Sequence, residues 1–150
     1  MGRFYAYTVT AASVSAASDL AEFTAATDRP FRIWNVRIWQ TTDLGDANEE
    51  VLEATIQRGV TAGSGGASVT LVSLDRETSA DTTAAGIRTT AHTGGTVVYR
   101  WGWNIRIPDD LWFTPETAPT FDAATDPVTI SLPAPADAIT VGCSVLIEEL

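Results

Sequence analysis

Val97-Val98-Tyr99-Arg100-Trp101-Gly102-Trp103-Asn104-Ile105-Arg106-Ile107 places an apolar side chain at every odd position, with Arg100, Gly102, Asn104 and Arg106 among the even ones. Side chains of an extended chain point alternately to opposite faces, so the stretch reads as one strand with a dry face and a wetter one. At about 3.3 Å per residue it spans roughly 36 Å, the full length of a small sandwich. A face of this kind is unstable in water, and most of the remaining chain is expected to cover it.

Other stretches alternate in the same way. Arg3–Thr10 reads as a first strand, with Tyr5, Tyr7 and Val9 opposed to Phe4, Ala6 and Thr8. Leu20–Ala25 fits either a short strand or a single helical turn. Asp28-Arg29-Pro30 signals a turn before Phe31–Gln40. In that strand the apolar phase moves from odd (Phe31, Ile33) to even (Trp34, Val36, Ile38), which fits a β-bulge or a strand buried on both faces. Val51–Arg58 alternates again and is expected to form a hairpin with Phe31–Gln40. Gly59–Ser68, with Gly63-Ser64-Gly65-Gly66, reads as a flexible loop, and Val69–Leu74 as a short strand. Asp75–Gly95 has no clear period, and loops of that length are usually functional or mobile; Gly86–Thr90 within it fits pairing along an edge. Pro115, Pro119 and Pro127 exclude Thr114–Pro127 as a central strand. Val128–Leu132 and Ile139–Ile147 close the series.

The expected fold is therefore all-β: a single domain over 1–150, a two-sheet antiparallel β-sandwich of about eight strands with jelly-roll-like or Greek-key wiring. A chain of 150 residues buries roughly 68–70% of its unfolded surface and needs no second domain. Trp34-Asn35-Val36-Arg37-Ile38 is echoed by Trp103-Asn104-Ile105-Arg106-Ile107, which fits equivalent positions in facing sheets or coincidence.

The formal charge is −10, and all nine basic residues are arginine. An acidic surface repels phosphate, so neither nucleic acid nor an anionic membrane is an expected partner. The N-terminal stretch is too polar for a signal-peptide core, Ala6 departs from a myristoylation motif, and no apolar run approaches the ~20 residues of a membrane span.

No catalytic or cofactor-binding constellation stands out. A Ser-His-Asp or Cys-His device needs a histidine, and the one histidine, His92, falls in a polar stretch and reads as an ordinary loop residue. Cys143 lies on an apolar strand face and reads as a buried, inert thiol. Candidate carboxylate pairs for glycoside hydrolysis are Glu49/Glu50, Asp109/Asp110 and Glu148/Glu149. Each pair is adjacent in sequence, so its members point apart in extended chain, and all read as solvated loop or strand-end charges. Asp43, Asp46 and Glu49 offer oxygens to calcium but lack the EF-hand spacing, so no metal is expected. The Gly63–Gly66 run has neither the lysine nor the strand-to-helix context of a phosphate loop. Five tryptophans are the most unusual feature. Trp101 and Trp103 are core by pattern. Trp34, Trp39 and Trp112 fit core packing, a protein interface or sugar stacking.

Several segments together carry a resemblance. They are Ser18-Asp19-Leu20, Arg29-Pro30-Phe31-Arg32-Ile33, Asp43-Leu44-Gly45-Asp46-Ala47-Asn48-Glu49-Glu50, Arg58-Gly59 with Gly63–Gly66, and Leu132-Pro133-Ala134-Pro135-Ala136-Asp137 through Glu148-Glu149-Leu150. In this ordering the chain resembles the small all-β virion proteins of tailed bacteriophages. The resemblance implies a non-enzymatic place in the virion. By analogy it implies a head decoration (cement) protein on the capsid surface, oligomeric and most simply trimeric, with the major capsid protein as partner. On that expectation Asp75–Gly95 and the N-terminal arm would make the contacts. A carbohydrate- or receptor-binding module of a tail or spike, and another head–tail structural component, are the alternatives.

Overall fold

The computed structural model describes residues 2–41, 49–75, 78–122 and 127–150, and among them there is no helix. Among the described residues twelve strands form two antiparallel sheets. They are β1 (Arg3–Val14), β2 (Ser18–Thr24), β3 (Phe31–Gln40), β4 (Val51–Arg58), β5 (Ser68–Val69), β6 (Val72–Ser73), β7 (Thr83–Ala85), β8 (Thr96–Asn104), β9 (Asp109–Trp112), β10 (Thr120–Phe121), β11 (Val128–Leu132) and β12 (Ile139–Glu149). Eight of these have four residues or more.

Sheet A runs β10-β3-β12-β1-β6, with β9 on the same edge of β3 as β10; sheet B runs β5-β7-β2-β11-β4-β8. Strands β1, β3 and β12 belong to sheet A and β2 and β4 to sheet B, so the chain crosses between the sheets at each of its first three connections. The last strand, β12, lies between β3 and β1 in the middle of its sheet.

The core lies between the sheets. Tyr5, Tyr7, Phe31, Ile33, Val36, Ile38, Val141, Cys143, Val145 and Ile147 come from sheet A; Leu52, Ala54, Ile56, Trp103, Val128, Ile130 and Leu132 come from sheet B. Apolar residues at period two on one side of each long strand are what bring the two inner faces together.

The phase change in β3 is a bulge. Leu146 pairs with Asn35 and Ile147 with Ile33, so Trp34 is the extra residue, and both Trp34 and Asn35 turn outward. Ser18–Thr24 is a strand, not a helical turn, with Leu20 as its own extra residue opposite β11. The described part of the polar, proline-rich stretch after residue 113 contributes only the two-residue β10, at an edge.

Three expectations need correction. Val69–Leu74 is not one strand: β5 joins sheet B and β6 joins sheet A. The hairpin between Phe31–Gln40 and Val51–Arg58 does not form: β3 pairs with β12, β9 and β10, and β4 pairs with β11 and β8 in the opposite sheet. Alternation gives each strand a dry face, and two dry faces meet across the core as readily as side by side. Val97–Ile107 is not the centre of the fold either. Its strand, β8, ends at Asn104 and forms the outer edge of sheet B. A bulge at Val98 breaks the phase, and the Ile107 amide donates to the Asn104 carbonyl at 3.0 Å, turning the chain. Only Trp103 (1% exposed) and Ile105 are buried in that stretch; Tyr99 is 39% and Ile107 62% exposed.

Candidate functional site

The two outer faces of the sandwich differ. On sheet B, the register sets Asp19 beside Ser131 and Glu22 beside Thr129, all four on the outer face. All four are nevertheless buried. Their cover is a ribbon made by residues 60–66 and 88–95. Thr61 and Thr93 exchange two backbone hydrogen bonds (2.9 and 3.1 Å), as do Ser64 and Thr90 (3.0 and 3.1 Å).

Two carboxylates hold this ribbon down. Asp19 accepts from the His92 backbone N–H through Oδ2 (2.7 Å), and through Oδ1 it meets His92 Nδ1 (2.7 Å) and the Ser131 hydroxyl (2.8 Å). Glu22 accepts from Arg88 at 2.7 Å and from the Gly63 amide at 3.3 Å. The Arg88 amide donates to the Asp19 carbonyl at 2.9 Å. A side chain at Gly63 would strike the Thr90 carbonyl and the Asp19 carboxylate, so glycine there permits the close approach. Gly63–Gly66 is thus part of a packed, hydrogen-bonded ribbon, where the sequence suggested a loose loop.

His92 is likewise no ordinary loop residue: its side chain is almost fully buried against Asp19. Serine, histidine and aspartate meet here, but not as a nucleophilic relay. A relay needs the hydroxyl and the carboxylate on opposite ring nitrogens. Here Ser131 Oγ lies 3.3 Å from Nδ1, the nitrogen that also faces Asp19. The arrangement is a clasp. Sequence reasoning missed it because 73 residues separate Asp19 from His92, and because Thr129 and Ser131 read as an ordinary wet face.

Sheet A carries no comparable cover among the described residues. Its outer face presents Phe4 on β1, Leu146 and Glu148 on β12, Arg32, Trp34, Arg37 and Trp39 on β3, and Asp110 and Trp112 on β9. Charges on it are paired internally. Arg32 reaches Glu148 at 3.9 Å and lies over the Trp34 ring, 5.6 Å from its centroid. The Trp34 indole N–H donates to Glu148 at 2.8 Å. Asp110 accepts from Asn35 (2.6 Å) and Arg37 (3.0 Å), and these, Arg37 first, hold its carboxyl down to about 2. Trp39 lies over Gly142, where any side chain would collide with the indole. Trp112 is 59% exposed. A groove of about 670 Å³ runs beside Trp39, lined by Thr8, Arg37, Gln40, Asp110 and Ser144 among others.

Of the tryptophans, Trp103 is core, as its pattern indicates, with its indole N–H on the Ile107 carbonyl at 2.9 Å. Trp101 is only half-buried, at the open end of the sandwich, donating to Asp109 at 2.6 Å. Trp34, Trp39 and Trp112 share the outer face of sheet A and are not core.

Two of the carboxylate pairs, Asp109/Asp110 and Glu148/Glu149, separate as expected. Asp109 bonds Trp101 while Asp110 faces the other way, toward Arg37. Glu148 lies outside and Glu149 inside. Glu149 is not a solvated strand-end charge: β12 keeps its alternation to the end, burying Glu149, which accepts from the Thr82 amide at 2.6 Å. Its Oε2 has no hydrogen-bond partner among the described residues. Glu49 is exposed; Asp43 and Asp46 lie outside the described residues. Among the described residues no group of three or more His, Cys, Asp or Glu could hold a metal ion. Cys143 is fully buried, and burial pushes its thiol well above the usual range. Among the described residues no helix is long and apolar enough to cross a membrane.

Compared with protein-family models, with curated proteins and with solved structures, the chain finds no match.

Proposed function

We propose that this chain is a non-enzymatic structural protein of a tailed-bacteriophage virion, a decoration protein that binds the outside of the head as a closed oligomer, most simply a trimer. Its partners are further copies of itself and the major capsid protein. One observation carries the reading: the buried ionisable groups on sheet B hold the protein's own ribbon, while the aromatic outer face of sheet A has no cover among the described residues. A decoration protein needs two kinds of surface, one for its copies and one for the shell. Among the described residues, exposed Trp112 with half-buried Trp34 and Trp39 on the outer face of sheet A, and Val97, Val98 and Tyr99 at the edge of β8, suit these two roles. Several modest contacts made at once by an oligomer give tight attachment.

The test is co-sedimentation of the purified protein with expanded capsids that lack it. Saturable binding, with one oligomer per lattice site, supports the reading; protein left wholly in the supernatant defeats it.

A carbohydrate-binding module is the second reading, and the groove beside Trp39 favours it. An indole wall with hydroxyl, amide, guanidinium and carboxylate groups around it suits a sugar ring. Glycan-array binding lost in Trp39→Ala would support this alternative.

A further inference from the structure

We propose that copies of this chain meet through the outer face of sheet A. The proposal rests on the oligomeric part of the reading above and adds the surface: like face against like face closes about a twofold axis, so this contact alone gives a dimer, and a trimer needs a second, different contact. Charge selects the occupant. The chain carries −10, so two copies repel each other over most of their surfaces. The face in question carries Arg32, Arg37, Glu148 and Asp110, two positive and two negative, each within reach of an opposite charge. It is a locally neutral patch on an acidic molecule, where a like-charged copy can approach without repulsion.

Composition and size agree with this. Tryptophan and arginine are enriched at protein interfaces, and here Trp34, Trp39 and Trp112 alternate with Arg32 and Arg37. Four strands about 4.8 Å apart and some eight residues long span roughly 500 Å² in plan. Side-chain relief raises that toward the roughly 800 Å² per partner of a standard interface. The edge of β8 is the weaker candidate for self-pairing, because the bulge at Val98 interrupts its ladder, as in edges that resist such pairing.

Trp112→Glu tests the proposal. The side chain is mostly exposed, so the fold survives, as far-ultraviolet circular dichroism will show. Wild-type protein should sediment at a multiple of 16.0 kDa, with iodide quenching of tryptophan falling as concentration rises. Trp112→Glu should sediment as a monomer, or associate at least about tenfold more weakly. Val51→Glu, equally exposed but on sheet B, should sediment like wild type. A wild-type monomer at every accessible concentration overturns the proposal, as does a Trp112→Glu protein with wild-type mass. Capsid co-sedimentation is scored separately: an oligomer that ignores capsids defeats the decoration reading and leaves this interface standing.

Discussion

Asp19 shows what one side chain can hold. Its carboxylate receives a backbone amide, a ring nitrogen and a hydroxyl from three positions distant from one another in sequence. Each donor left buried without an acceptor costs about 1–3 kcal/mol, so Asp19→Ala should destabilise the protein by roughly 3 kcal/mol or more. Urea unfolding will measure this, and a change under about 1 kcal/mol would mean the clasp is ornamental. Asp110 makes a gentler prediction. With its pKa lowered to about 2, the stability it adds is present above about pH 4 and fades as pH falls through 2. The Arg37 pair is exposed, so that contribution is small. Carboxyl NMR should find Asp110 titrating near 2 in wild type and higher in Arg37→Ala. Cys143, buried and held protonated, should ignore thiol reagents until the protein unfolds. Of these residues only Cys143 was legible in the sequence, because its burial follows from strand alternation alone. Asp19 and His92 were not, because no local pattern reports which outer face the chain will roof.

At the scale of elements, bulges decide which side chains go where. The extra residues Trp34 in β3 and Val98 in β8 each reverse the alternation of their strand. In β3 the reversal is visible as a change of apolar phase, and the sequence reading found it. In β8 the run Val97-Val98-Tyr99 is apolar throughout, so the bulge left no mark and the strand looked like a dry centrepiece. Strand existence was legible from alternation; strand partners were not, since Phe31–Gln40 and Val51–Arg58 are equally good neighbours on paper. Gly142 makes the packing of an element testable. Its missing side chain lets Trp39 lie across β12, so Gly142→Val should displace the indole and cost about 1–3 kcal/mol. A shifted tryptophan emission maximum with a lower urea midpoint would bear this out; unchanged emission would count against it.

For the whole molecule, the two-layer architecture and the core membership of Tyr5, Ile38, Val145 and Ile147 follow from period-two patterning, which is why they were readable. The asymmetry between a roofed sheet B and a sheet A without such a cover among the described residues was not, because it depends on the path of residues 60–66 and 88–95 over one face. Asp75–Gly95 and the N-terminal arm were expected to make the contacts. Within the first, residues 88–95 are held on sheet B through Asp19 and Glu22, and Arg3–Val14 is a strand paired with β12. A partner that met these described segments would find them already ordered, which lowers the ordering entropy of association.

The central position of β12 has a consequence for biosynthesis. A ribosome releases residues 3–14 and 31–40 early, yet both strands lack their common neighbour until residue 139 and beyond have emerged. Sheet A is thus completed only once residues 139–149 have been made, and such non-local pairing is slow, on the order of milliseconds to seconds. Stopped-flow refolding should show that range, and chains stalled before residue 139 should remain protease-sensitive. Until residues 139–149 arrive, β1 and β3 each keep an open edge where β12 will sit, and such edges are prone to pair with another chain.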